Sequence, residues 1–215
     1  MAKLADLGFS TDIISETIVS TYNSDGTSNA APMGVIMKDS NHVIMNIFDS
    51  SLTYQNLSIK KQGVINITND IEVFYKTAFK ETNTNGKLPQ EWFECSQIVD
   101  APEIIFSDAT VAFSVLSTKS IGEKIQTLCR VEQITARETY PKVVCRAISL
   151  TLEAIIHATR VKFFINNQNE RKETDYLTDL IHVYSDVVNR VAPNSVYSLI
   201  MTDLISRIDS WRIKP

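Results

Sequence analysis

The hydrophobic period of this chain changes once, near residue 138, and no other feature restricts its fold so strongly. Before that point, short β-type runs are separated by turn residues. After Tyr140-Pro141, apolar residues recur about every 3.6 positions. The first pattern belongs to strands with one buried face, the second to amphipathic helices. Strands are expected near 13–22, 30–38, 43–48 and 63–68, with longer ones near 109–118 and 121–136. Two short helices interrupt them: "SSLTYQNLSIK" (50–60), with a Ser-rich start, and "NDIEVFYKTAF" (69–79), with Asn69 and Asp70 as cap candidates. Three longer helices follow, over 142–164, 173–191 and 195–211, the last capped by Asn194 or Ser195. The polar stretch "KETNTNGKLPQ" (80–90) reads as a surface excursion inside the β-rich half. The expectation is an α+β protein: a β-barrel or sandwich over 1–138 with a three-helix C-terminal subdomain over 139–215 packed on it.

Composition narrows the function. The 215 residues are 44% hydrophobic and 21% charged, as in a globular protein, and the net charge of −4 opposes non-specific nucleic-acid binding. No apolar run reaches the roughly 18 residues of a membrane span, and "MAKLADLGFS" lacks signal-peptide features, so a cytoplasmic protein is expected. Cys95, Cys129 and Cys145 are odd in number and widely spaced, and are expected to be buried or half-buried without chemistry. They and the three histidines, His42, His157 and His182, offer no metal-ligand spacing, so no metal is expected.

One hairpin breaks its own pattern. Thr17, Ile18, Val19, Thr21 and Tyr22 form a β-rich arm, and Asn23-Ser24-Asp25-Gly26 makes the turn. The returning arm is Asn29-Ala30-Ala31-Pro32-Met33-Gly34, small residues and a proline where bulky ones are usual. Such a strand would let a flat ligand lie against exposed backbone groups. A second unusual segment runs from Phe48 into the short helix. There the hydroxyls of Ser50, Ser51 and Thr53, with the open N–H groups of a helix start, suit an anionic phosphate, with Asn56 one turn on. A plain helix cap accounts for the same residues equally well. Lys60 and Lys61 add positive potential or simply solvate the surface.

No catalytic constellation stands out: there is no nucleophile elbow, Walker loop or dinucleotide fingerprint. On the first long helix, Lys142, Arg146, Ser149, Glu153, His157 and Arg160 share one face. That face is either a solvated stripe or a source of guanidinium groups, Arg146 or Arg160, for a neighbouring anion. Trp92, Phe93 and Tyr54 are candidates for a ligand wall or for ordinary packing.

The segments "NAAPMG" (29–34), "SLTYQNL" (51–57) and "KQGVINIT" (61–68) together resemble the order found in flavin reductase-like split barrels. Within that group the chain looks most like an archaeal branch of uncharacterised FMN-binding proteins, and "CRAISLTLEAIIHATR" (145–160) resembles that branch's helix, with Cys145 where Asn is usual. The resemblance implies an FMN-binding split β-barrel with a C-terminal helical extension, working as a homodimer with FMN at or near the interface. By the same likeness Ala30, Ala31, Pro32, Met33 and Gly34 would carry the isoalloxazine ring. Ser51, Thr53 and Asn56 would hold the phosphate, Asn66 would lie near the ring or ribityl chain, and Arg146 would join the cofactor site. The implied function is a flavin-dependent oxidoreductase, with Arg146, His157 and Arg160 as candidates for substrate contact. The alternative is a non-catalytic FMN-binding or regulatory protein on the same scaffold.

Overall fold

The structure, a computed structural model, describes residues 2–138 and 145–213. The chain divides into two units, Met1–Thr68 with Phe79–Tyr140, and Asn69–Ala78 with Pro141–Pro215.

The first unit is built on β1 (Ile14–Tyr22), β2 (Ser28–Asp39), β3 (His42–Phe48), β4 (Gln62–Ile67), β7 (Ala109–Ile121) and β8 (Lys124–Ala136). They close into an antiparallel barrel in the order β1-β2-β3-β8-β7-β4, with β4 returning to β1. Every strand has a neighbour on each side, but β2 meets β3 only from Val35 onward and pairs with β1 alone before it. The pairs Val19↔Ala31, Val19↔Ile65, Val35↔Met45, Val43↔Cys129 and Ile65↔Val111 turn one side chain of every two toward the same interior. Val19, Val35, Val43, Met45, Ile65 and Phe113 accordingly pack into one core. Gly63 faces Phe113 across the β4–β7 pair, where a Cβ would stand 2.6 Å from the ring.

Helix α1 (Leu52–Lys60) fills the connection from β3 to β4, and Lys61 ends it in the left-handed region at φ 57°. The loop after α2 (Ile71–Ala78) holds two short strands, β5 (Phe93–Cys95) and β6 (Pro102–Ile104), paired with each other. Three residues each and interrupted by Glu, Pro and Cys, they carry no alternation that a sequence reading could detect.

The second unit contains α3 (Arg146–Phe164), α4 (Arg171–Val191) and α5 (Val196–Ile213). Of the expected start of α3, residues 142–144 lie outside the described residues. Ser195 rather than Asn194 caps α5, its Oγ accepting from the Ser198 amide at 3.3 Å. Helix α2 also belongs to this unit, whereas a division at residue 138 leaves it with the strands. Its buried Tyr75 donates a hydrogen bond to Asp203 of α5, and Arg207 Nε donates to the Tyr75 hydroxyl at 3.1 Å and to Asp203 at 2.5 Å. Among the described residues no helix is long and apolar enough to cross a membrane.

Candidate functional site

The unusual strand β2 divides its small residues between two faces. Thr17 pairs with Met33 and Val19 with Ala31, so Ala31 and Met33 share the face of Val19, and Met33 packs on the interior core. Ser20 pairs with Ala30, Ile18 with Pro32 and Glu16 with Gly34, which turns Ala30, Pro32 and Gly34 outward. A ligand on the outer wall therefore meets Pro32 and Gly34. Ala31 and Met33, expected from the resemblance beside the ring, point to the other side of the sheet, because the side-chain period of a strand is two. Ala30 is outward but has no exposed surface.

The excursion after Phe79 occupies that end of the wall. Gln90 Oε1 accepts from the Ser28 amide at 2.8 Å. Ser20 Oγ donates to the Pro102 carbonyl at 2.6 Å, and Asn66 Oδ1 accepts from the Ile104 amide at 2.7 Å. Asn66 Nδ2 donates to the Ile18 carbonyl at 3.0 Å and to Ser20 Oγ at 2.8 Å. Fully buried, Asn66 thus spends its amide on joining β1, β4 and β6. Its amide therefore has a structural task, on the row where Ile18 separates it from Pro32.

At the start of α1, Ser51 is an N-cap: its Oγ accepts from the Tyr54 amide at 3.2 Å and donates to the Phe48 carbonyl at 2.8 Å. Thr53 lies in the first turn, buried, and its hydroxyl makes no hydrogen bond among the described residues. Asn56 Nδ2 donates at 3.0 Å both to Thr21 Oγ1 and to Asn23 Oδ1. Thr21 Oγ1 also accepts from Asn29 Nδ2 at 3.2 Å, and Asn29 Oδ1 accepts from Lys80 Nζ. A polar relay therefore runs from α1 through the β1–β2 hairpin to a lysine of the excursion. Lys60 pairs with Asp100 at 2.6 Å, so its charge is balanced within the protein. Tyr54 packs on the interior core, while Trp92 meets the half-exposed Phe106 edge-on at 5.6 Å.

Beside Gly34 the outer wall is apolar. Ile14 pairs with Ile36, Ile36 with Ile44, and Ile44 with Leu128, so one row crosses four strands. Ile14 is 61% exposed and the other three are half-buried. Ile14 also leans on Gly34, where a Cβ would meet its Cγ2 at 2.7 Å.

The stripe on α3 belongs to the helical unit. Arg146, Ser149, Glu153 and Arg160 are exposed, in keeping with a solvated face, while Lys142 lies outside the described residues. His157 differs: it is half-buried, its Nδ1 has no hydrogen-bond partner among the described residues, and its ring lies 5.9 Å from that of Tyr184. Burial lowers its pKa, with Glu153 and Glu173 opposing and Arg160 reinforcing that shift. Of the cysteines, Cys129 lies inside the barrel with its pKa pushed up to about 12 by burial and Cys145 is half-buried, as expected, whereas Cys95 is exposed. Among the described residues no three His, Cys, Asp or Glu side chains gather into a metal-binding group.

Comparison with known proteins places this geometry. The model for the N-terminal domain of a protein family of unknown function, DUF447, matches residues 15–139. An FMN-bound protein of that family from Methanosarcina mazei is similar over 95% of this chain and 99% of its own, at 22% identity and a TM-score of 0.76. A flavin reductase-type protein with a split barrel domain from Shewanella frigidimarina is similar over 66% of this chain and 75% of its own, at 14% identity and a TM-score of 0.51. The fold is a split barrel with C-terminal helices.

Proposed function

The chain belongs to the DUF447 family through its N-terminal domain, and on that premise we propose that it is an FMN-binding flavoprotein. The observation that carries the proposal is the outer wall of β2, where Pro32 and Gly34 hold a low, partly open stretch of strand beside a partly exposed apolar row. A planar aromatic ring fits the low stretch at Pro32, edged by Ile14 where it leans on Gly34, and the backbone groups of β2 before Val35 that do not pair with β1 are the natural partners for its polar edge. That a relative similar along nearly the whole chain carries FMN supports the same reading.

Bound flavin would supply hydride or single-electron transfer, and the protein's part is to bind and orient it. Pro32 and Gly34 would form one wall of the ring site. Thr53, in the first turn of α1 and with no hydrogen bond from its hydroxyl among the described residues, fits a phosphate oxygen at the start of the helix, where N–H groups point out. Ser51 would act through its cap, holding that helix start in place, and Asn56 through its grip on Thr21 and Asn23. Arg146, exposed at the first turn of α3, is a guanidinium that can take an anionic group.

A homodimer is part of the proposal. The row Ile14, Ile36, Ile44 and Leu128 gives a second copy an apolar face to cover, and a twofold interface across it would raise the missing wall over Pro32 and Gly34. Within this reading the protein is a flavin-dependent oxidoreductase.

The test is an FMN titration of the wild type and of Pro32→Trp, followed by flavin fluorescence. The variant should lose affinity at least about 10-fold, since a buried ring site blocked by an indole forfeits more than about 1.4 kcal/mol. Equal affinity in a folded variant would remove the ring from this wall. Bleaching of the bound flavin by NADH, NADPH or a reduced deazaflavin supports the oxidoreductase, whereas tight binding with no reduction by any of them supports a binding protein.

A further inference from the structure

The excursion builds a cavity of about 270 Å³ against the start of β2, lined by Ser28, Asn29, Lys80, Lys87 and Gln90 among others. Two of these side chains are cations, and none of the lining residues is acidic. Lys80 is the unusual one. It is half-buried, its ammonium donates to Asn29 Oδ1, and no carboxylate pairs with it among the described residues. Burial alone lowers its pKa, with no acidic neighbour raising it. An ammonium taken partly out of water without a counter-charge destabilises the fold that holds it, which makes sense where an anion completes the site.

The surroundings hold that ammonium in place. Asn29 is buried and fixed by Thr21, which in turn is held by Asn56. Gln90 is pinned across Ser28, accepting from its amide and donating to its carbonyl at 3.4 Å. Lys87 is exposed and near Asp25, whose carboxylate is already engaged by the Thr27 hydroxyl at 2.6 Å and the Thr27 amide at 3.0 Å. On α1, by contrast, the Ser51 hydroxyl and the Asn56 amide nitrogen are committed to the protein.

We propose that the cavity between Lys80 and Lys87 is a phosphoryl-anion subsite, with the two ammonium groups as charge donors. The phosphoryl group comes from one of two sources. It is the flavin's own phosphate, held here in place of the Thr53 position at the start of α1 and reaching the cavity from a ring placed over Pro32 about 13 Å further along the same strand, at ~3.3 Å per residue. Otherwise it belongs to a second phosphorylated molecule bound beside the flavin. The first source rests on the FMN reading given above, and the second does not.

Calorimetric titrations of the full-length protein with FMN, riboflavin and inorganic pyrophosphate, on the wild type, Lys80→Met and Lys87→Met, decide the matter. If the phosphate is the flavin's own, Lys80→Met lowers FMN affinity about 10- to 100-fold and leaves riboflavin affinity unchanged, the range expected for one charge-assisted hydrogen bond. If a second molecule is bound, FMN affinity stays constant while pyrophosphate binds the FMN-saturated wild type and is weakened by the same factor in the variant. Equal affinities for FMN and pyrophosphate across all three proteins would overturn the subsite. Should FMN fail to bind the wild type, the flavin reading falls by itself, and pyrophosphate binding still decides the subsite: loss in both variants supports it and no change overturns it. Methionine matches the length of lysine without its charge, so Lys80→Met should unfold at no lower temperature than the wild type, and Lys87→Met repeats the test at an exposed position.

Discussion

At the scale of single residues, the register of one strand decides which side chains a ligand can meet. Composition marks Ala30, Ala31, Pro32, Met33 and Gly34 as unusual, but a contiguous run on a strand cannot face one way. Pairing with β1 turns Pro32 and Gly34 out and sends Ala31 and Met33 in. That register depends on long-range pairing and is absent from the local sequence. Asn66 shows the same limit. Its place after Gly63 on β4 was legible, but its partner Ile104 is 38 residues away on a strand with no sequence signal. Replacing Asn66 with Ala should leave the buried Ile104 amide without an acceptor and cost about 1–3 kcal/mol. A urea unfolding midpoint equal to that of the wild type would show that the tie between β4 and β6 contributes nothing.

At the scale of elements, the barrel strands and long helices were legible because each has a buried face of its own. Alternation marked β1, β3, β4, β7 and β8, and the 3.6-residue period marked α3, α4 and α5. Helix α2 was visible as a helix, while its membership of the helical unit depends on Tyr75 meeting Asp203, 128 residues away. His157 gives the packing of α3 and α4 a measurable consequence. Burial holds its pKa below the ordinary 6.5, so in acid the unfolded chain takes up its proton before the folded one does. Stability should therefore fall as the pH drops through about 6.5 and below, and His157→Gln should flatten that part of the profile. Thermal midpoints between pH 7.5 and 5.5 measure it, and an unchanged slope in the variant would assign the acid sensitivity to other groups.

At the scale of the whole molecule, the fold was readable from the sequence, whereas the apolar row proposed as an interface is a property of the barrel surface. Ile14, Ile36, Ile44 and Leu128 are far apart in the chain and align only because four strands pair in register. Ile44→Glu places a charge in the middle of that row, pointing outward where the monomer tolerates it. Sedimentation should show the wild type as a dimer and Ile44→Glu as a monomer with weakened FMN binding. A monomeric wild type with full FMN affinity would separate the flavin site from any interface.

The central claim, that this barrel binds FMN on its outer wall, meets its most direct test in the visible absorbance spectrum of the freshly purified protein, before any cofactor is added. The account predicts the bands of oxidised flavin, with FMN released into solution on denaturation. A colourless protein that also takes up no added FMN would contradict it.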